Sequence, residues 1–282
     1  MADFADVDEL QPGMVAVLGV PLDQNSSFMR GAALAPARIR EVLYAGSSNL
    51  CVEDGLDLGS DTRWRDLGDL EWSADAEPFA QIEGTVSRLL ERDLRVLTLG
   101  GDHSITYPLL RAFARKYPGL TILQLDAHPD LYDELDGNRY SHACPFARIM
   151  EEGLAARLVQ LGIRTMTPHQ REQAERFGVE VVEMRDWHPG TPLVLDAPVY
   201  LTLDLDALDP AFAPGTSHHE PGGFTSRDVL GIVQGLAAPV VGADIVEFNP
   251  QRDPAEVTAM VAAKLLKEIV ALMLRPLARV PV

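Results

Sequence analysis

Apolar runs rich in Val, Leu and Ile recur along the chain at 15–20, 96–99, 121–125, 158–163, 199–205 and 240–246. Several are apolar throughout rather than alternating, as strands covered on both faces should be. Between them lie segments of helical spacing at 36–44, 78–92, 105–116, 169–177 and 227–236. Strand and helix alternate, which predicts an α/β fold, a three-layer αβα arrangement around a parallel sheet. No linker or repeat interrupts the pattern, so 1–282 is expected to form a single domain. The segment 259–274 is apolar but broken by Lys264, Lys267 and Glu268, short of a membrane-spanning length, and predicts an amphipathic or interface helix.

In parallel sheets, ligands bind beyond the carboxyl ends of the strands, and the polar clusters of this chain stand there. Leu97-Thr98-Leu99 runs into Gly100-Gly101-Asp102-His103, Leu123-Gln124-Leu125 into Asp126-Ala127-His128-Pro129-Asp130, Leu201-Thr202-Leu203 into Asp204-Leu205-Asp206, and Ile245-Val246 into Glu247. Asp126, His128 and Asp130 are two apart, so if the strand persists their side chains share one face. The same holds for Asp204 and Asp206, whereas Asp209 before Pro210 suits a turn. Either aspartate cluster alone could cap a turn. Together with His103 they would place four carboxylates and two imidazoles close enough to repel strongly, unless divalent cations neutralise them. Such a set suits two ions about 3.5–4 Å apart. Carboxylate dominance favours manganese, while zinc, iron, cobalt and nickel stay chemically admissible.

Composition narrows the partners. Asp and Glu outnumber Lys and Arg by 42 to 24, for a formal charge of -18, which argues against nucleic acid and is compatible with a small cationic substrate. The two cysteines, Cys51 and Cys144, have no metal-ligand spacing, and the acidic N-terminus lacks an apolar signal core. These features lead to the expectation of a cytoplasmic chain with no membrane partner.

The motifs GVPLDQNSSFMRGAALAPARIRE, GGDHS, DAHPDLYDELDGNRYSHACPFARIMEEG, LDLDALDPAFAPGTSHHEPGGFTSRDVL and VVGADIVEFNPQRD, in this order, resemble the ureohydrolase family of arginases and agmatinases. The wording of DAHPDLYDELDGNRYSHA and VVGADIVEFNPQRD is most similar to plant-type arginases. The resemblance implies an arginase-like fold and two Mn2+ per chain. One ion would be held by His103, Asp126, Asp130 and Asp204, the other by Asp126, His128, Asp204 and Asp206, with Asp126 and Asp204 bridging. It implies catalytic roles for His142, Asp130 and Glu247, with His142 handling the proton and Glu247 holding the guanidinium. His218 and His219 would line the entrance at most, and Cys144 would serve packing. A homo-trimer or homo-hexamer is implied too.

The expected activity is hydrolysis of L-arginine to L-ornithine and urea, with agmatine or another guanidino compound as the alternative. Many arginases carry aspartates for the substrate's α-amino group where this chain has Thr165 and Thr167. The tail is therefore assigned to Asn138 and Arg139, with Tyr132, Asn25, Ser26 and Arg30 as further candidates. Two rivals are a one-metal deacetylase of the same fold and a non-catalytic, metal-bearing protein. Asp204-Leu205-Asp206 beside His103, together with Glu247, favours two metals and a cationic substrate.

Overall fold

The computed structural model describes residues 5–195 and 198–276. Its centre is one parallel sheet of β1 (Val15–Val20), β2 (Trp64–Asp69), β3 (Arg95–Gly100), β4 (Thr121–Leu125), β5 (Arg157–Ile163), β6 (Glu180–Glu183), β7 (Val199–Asp204) and β8 (Val240–Val246). The strand order is β2-β1-β3-β8-β7-β4-β5-β6. Every residue of β1, β3, β4, β7 and β8 is buried, as the continuous apolar runs predicted. The two edge strands did not show as apolar runs. In β2 buried positions alternate with half-buried or exposed ones, and β6 is a four-residue strand without a fully buried position.

Among the described residues seven α-helices cover the two faces: α1 (Ala35–Leu43), α2 (Pro78–Glu91), α3 (Thr106–Lys116), α4 (Pro145–Glu151), α5 (Pro168–Phe177), α6 (Ser226–Gly235) and α7 (Val257–Leu274). One apolar layer packs residues of α1, α6 and α7 on one face of the sheet. The other packs α2, α3 and α4, with Ala174 of α5, on the opposite face. Reciprocal capping boxes start α5 (Thr167 with Gln170) and α6 (Thr225 with Asp228), and Gly178 ends α5 in the left-handed region it tolerates.

The C-terminal helix differs from expectation. In α7 the run from Leu265 to Leu274 is buried except for Lys267, and the helix packs on α1 and α6. Its apolar surface is used inside the chain, and Val257 and Met260 are its exposed large apolar residues. The Lys264 and Glu268 heads pair with one another, which lets charges sit on a core helix. Among the described residues no helix is long and apolar enough to cross a membrane.

Candidate metal centre and substrate cavity

The strands β3, β8, β7 and β4 are adjacent in the sheet, so their carboxyl ends deliver side chains to one rim. After β3, Asp102 caps a short turn that presents His103, with both side chains fully buried. Gly101 has to be glycine here, because a Cβ would lie 1.9 Å from the Leu22 carbonyl oxygen. Gly101 thus serves the passage of the Leu22 backbone, whereas a Cβ at Gly100 would meet the Ile105 and Val246 side chains.

Asp126 to Asp130 do not continue the strand, since β4 ends at Leu125. Convergence comes instead from a loop in which Asp130 adopts a positive φ of 48°. Glu247, directly after β8, has φ 63°. Such backbone is costly for residues with a Cβ and is held only where the surroundings enforce it. The Asp126, His128 and Asp130 side chains are brought together by that loop and not along one face of a continued strand.

His103 Nδ1 lies 3.0 Å from Asp130, 3.2 Å from Asp126 and 3.3 Å from Asp204. His128 Nδ1 lies 3.0 Å from Asp206 and 3.6 Å from Asp126. These are two candidate ligand groups, His103-Asp126-Asp130-Asp204 and Asp126-His128-Asp206, joined through Asp126. Backbone N–H groups orient the carboxylates: Asp206 donates to Asp204 Oδ1 and Ala127 to Asp206 Oδ1, leaving each Oδ2 turned towards an imidazole. Behind them, Gln160 donates to Gln124, which donates to Asp126 Oδ2 at 2.7 Å. Thr202 joins His103 Nε2 to the buried Asp244.

The electrostatics call for positive charge. Burial and then Asp206 and Asp126 push Asp204 well above the usual carboxylate range, and burial and then Asp126 raise Asp130 to about 6. Burial opposes a charge on His103, yet the three carboxylates outweigh it and raise the imidazole well above its ordinary value. Protons and divalent cations compete for such a cluster.

Beside it, His142 Nδ1 and Glu247 Oε1 are 2.8 Å apart, and the same oxygen accepts from the His103 backbone N–H at 2.8 Å. Burial works against a charged His142, but Glu247 raises it to about 9. Burial likewise opposes the Glu247 charge, and His142 brings its pKa below the ordinary value. A cavity of about 200 Å³ is lined by Ser27, His128, Asp130, Tyr132, Leu135, His142, Ala143, Thr165, Thr167, Gln170, Asp204, Asp206, His218 and Glu247.

Residues 14–272 match the model of the arginase family. The chain belongs to that family. It is 50% identical over 273 residues to a protein named "Arginase 1, mitochondrial" from Arabidopsis thaliana, covering 91% of this chain and 80% of the relative. An agmatinase from Bacillus cereus is 34% identical, with 90% of each chain covered. The structure of an arginase from Medicago truncatula superimposes with a TM-score of 0.87 at 46% identity, covering 92% of this chain and 87% of that one. The names of several plant relatives include mitochondrial or chloroplastic. They overturn the cytoplasmic expectation, which rested on two cysteines and an acidic N-terminus that an organellar protein can share.

Of the sequence candidates, the six metal-competent groups, His142 and Glu247 come together, and Tyr132 lines their cavity. The tail candidates Asn138 and Arg139 do not line it. Asn138 faces a neighbouring cavity with Asn25, Phe79 and Tyr107, and its Oδ1 accepts from the Tyr140 backbone. The Arg139 guanidinium is paired with Asp133 and Glu151, each at 3.1 Å. Its charge is already taken by carboxylates six and twelve positions away, a pairing the loop's composition did not reveal. Arg30 donates to the Gln24 carbonyl at 2.8 Å. Asn25 and Ser26 are tied to Asp102. Asp209 is the turn former expected, accepting from Ala211 and Gly222. Cys51 is exposed and Cys144 buried, both as free thiols.

Ser27 and Gln170 also line the cavity and were not among the sequence candidates, while His218 stands at the cavity mouth. His218 sits with its ring 5.1 Å from that of His142 and 6.0 Å from that of His128. His219, next in sequence, turns away to bond the Pro214 carbonyl.

Proposed function

We propose that this chain hydrolyses a guanidinium group to urea and an amine, with L-arginine as substrate and two Mn2+ per chain. The observation that carries the reading is Glu247, a buried carboxylate fixed by the His103 N–H and by His142, opening on the same cavity as the aspartate-histidine cluster. A carboxylate so placed pairs with the planar, permanently charged guanidinium.

The donor set fits the ions. His103 Nδ1 is fully buried, has no hydrogen-bond partner among the described residues and points among three carboxylates. Four carboxylates and two imidazoles suit hard-to-borderline cations, with Asp126 and Asp204 as the assigned bridges. When bound, the ions supply a water acidic enough to attack the guanidinium carbon at neutral pH. Glu247 would orient that carbon, Asp130 would steady the attacking water, and His142 would deliver a proton to the departing nitrogen. A homo-trimer or homo-hexamer belongs to the proposal and is checked by sedimentation.

L-arginine is preferred because the plant arginases are closer to this chain than the agmatinase is. Agmatine is the second reading, favoured by Thr165 and Thr167, which bring no charge to the cavity for an α-amino group. Urea release with Mn2+ from arginine, agmatine, guanidinobutyrate, guanidinopropionate and guanidine tests both. Equal or higher kcat/KM with agmatine defeats the arginine assignment, and no urea from any of them defeats the ureohydrolase reading.

A further inference from the structure

The His142 imidazole has two faces with different neighbours. Nδ1 meets Glu247, where the guanidinium would sit, and Nε2 lies 2.8 Å from Ser27 Oγ. His142 is buried at 7% exposure, whereas Ser27 is exposed and lines the mouth of the same cavity. The serine is not on a loose loop. Asn25 N–H and the Ser26 hydroxyl donate to Asp102 Oδ2, the Asn25 amide donates to Ser104, and the His142 backbone N–H donates to the Asn25 carbonyl at 3.1 Å. Asp102 is fully buried next to His103, so the segment carrying Ser27 is fastened to the base of the site.

We infer that the Ser27 hydroxyl holds the Nε2 side of His142 and connects that buried ring to solvent, as a positioning residue that passes protons. A hydroxyl donates and accepts at once, which is what a one-atom relay requires. The order hydroxyl, imidazole, carboxylate also occurs in nucleophilic triads, but in the proposed reaction the nucleophile is a water, which leaves the serine free for proton traffic. The balance is closed. Water oxygen bonds to the guanidinium carbon, the bond from that carbon to the substrate nitrogen breaks, and the departing nitrogen takes two protons, one from the Nδ1 face of His142 and one from the attacking oxygen as it becomes the urea carbonyl. Ser27 supplies a proton from solvent to Nε2 as Nδ1 gives its own to the amine. In the return leg Nδ1 takes the first proton given up by the attacking water while Nε2 passes one through Ser27 to solvent, so the ring regains its starting tautomer. Guanidinium and water thus become urea and an alkylammonium with no net proton released.

This inference rests on His142 as the proton carrier, and the experiment separates the two. In the Mn2+-loaded enzyme with arginine, Ser27→Ala should lower kcat about tenfold while KM and bound metal stay at wild-type values. Ser27→Thr should restore most of it. Raising the concentration of a small, non-chelating buffer at constant ionic strength should accelerate Ser27→Ala and leave the wild type unchanged, a response that a merely structural role would not give. Wild-type kcat in Ser27→Ala, or a loss that neither buffer nor threonine repairs, overturns the relay. Full turnover in His142→Asn would instead overturn the reading beneath it.

Discussion

At the floor of the cavity, His103, Asp126, Asp204 and Glu247 leave the ends of four adjacent central strands whose residues are all buried. Each side chain is further fixed from behind by a backbone N–H or by Gln124 or Thr202. At the mouth, Ser27, Tyr132, Thr165 and His218 are not fully buried and come from loops distant in sequence. The difference separates chemistry from selectivity. Ligand geometry must be held within fractions of an ångström and is built on rigid strands, whereas the part that meets a variable substrate tail is left to loops.

Changes at the floor should therefore be the most damaging. Asp126→Asn or Asp204→Asn, in the assigned bridges, should drop turnover to assay background and lower bound metal, read by elemental analysis of the purified variants. One metal or none per chain in the fully active wild type would refute the two-ion scheme.

One step from the floor, His142→Asn should reduce kcat by about 10²–10⁴ with the metals retained, because proton delivery belongs to the transition state. Metal loss in that variant would show that a ligand had been mistaken for a proton carrier. The pH dependence sharpens the point. Glu247 raises His142 to about 9, so the ring is protonated through neutrality and loses its proton as pH rises. Since kcat/KM reports the free enzyme, its alkaline limb should fall near pH 9. In Glu247→Gln the supporting charge is gone, and the limb should move to lower pH as both binding and rate weaken. A limb that stays in place would remove Glu247 as the cause.

Behind the floor the expected effect is smaller. Gln124→Leu removes the 2.7 Å donor to Asp126 Oδ2 and leaves the ligands themselves untouched. Residues of this kind typically change metal affinity by about 10–100-fold, measurable by competition with a chelator. Unchanged affinity would mean that the loop alone positions Asp126.

The same contrast explains what the sequence made legible. A ligand at the end of an apolar run is visible locally, because the run marks the strand and the polar residues mark its end. Asp126, Asp204 and Glu247 were picked out that way, and so were the six strands between the two edges. Strand β2 was not, since WRDLGD shows no apolar run, and the buried carboxylate of Asp66 within it is paired with Arg40 of α1 at 2.8 Å. Contacts between loops leave still less trace. Ser27 and His142 lie 115 positions apart, and nothing between them signals that their side chains meet. Arg139 failed for a related reason, since a charge in a promising loop says nothing about which partner has already claimed it.

The mouth then yields the smallest effects, in a paired test of tail recognition. Tyr132 lines the cavity, its ring stacks on His169 at 5.9 Å, and its hydroxyl makes no hydrogen bond among the described residues. Tyr132→Phe keeps the ring and removes only the hydroxyl. If that hydroxyl meets the substrate's α-carboxylate or α-amino group, kcat/KM should fall by about tenfold for arginine, as for a lost bond to a charged group, and little for agmatine, which lacks the carboxylate. Arg139→Ala should change the arginine-to-agmatine ratio by less than about twofold, because an exposed guanidinium held by Asp133 and Glu151 contributes little even to its own pairs. A ratio that collapses in Arg139→Ala and survives in Tyr132→Phe would mean that the loop rearranges on binding, breaks both ion pairs and carries Arg139 into the cavity. The selective part of the molecule would then lie outside the walls seen here, while the assignment of the floor would stand unchanged.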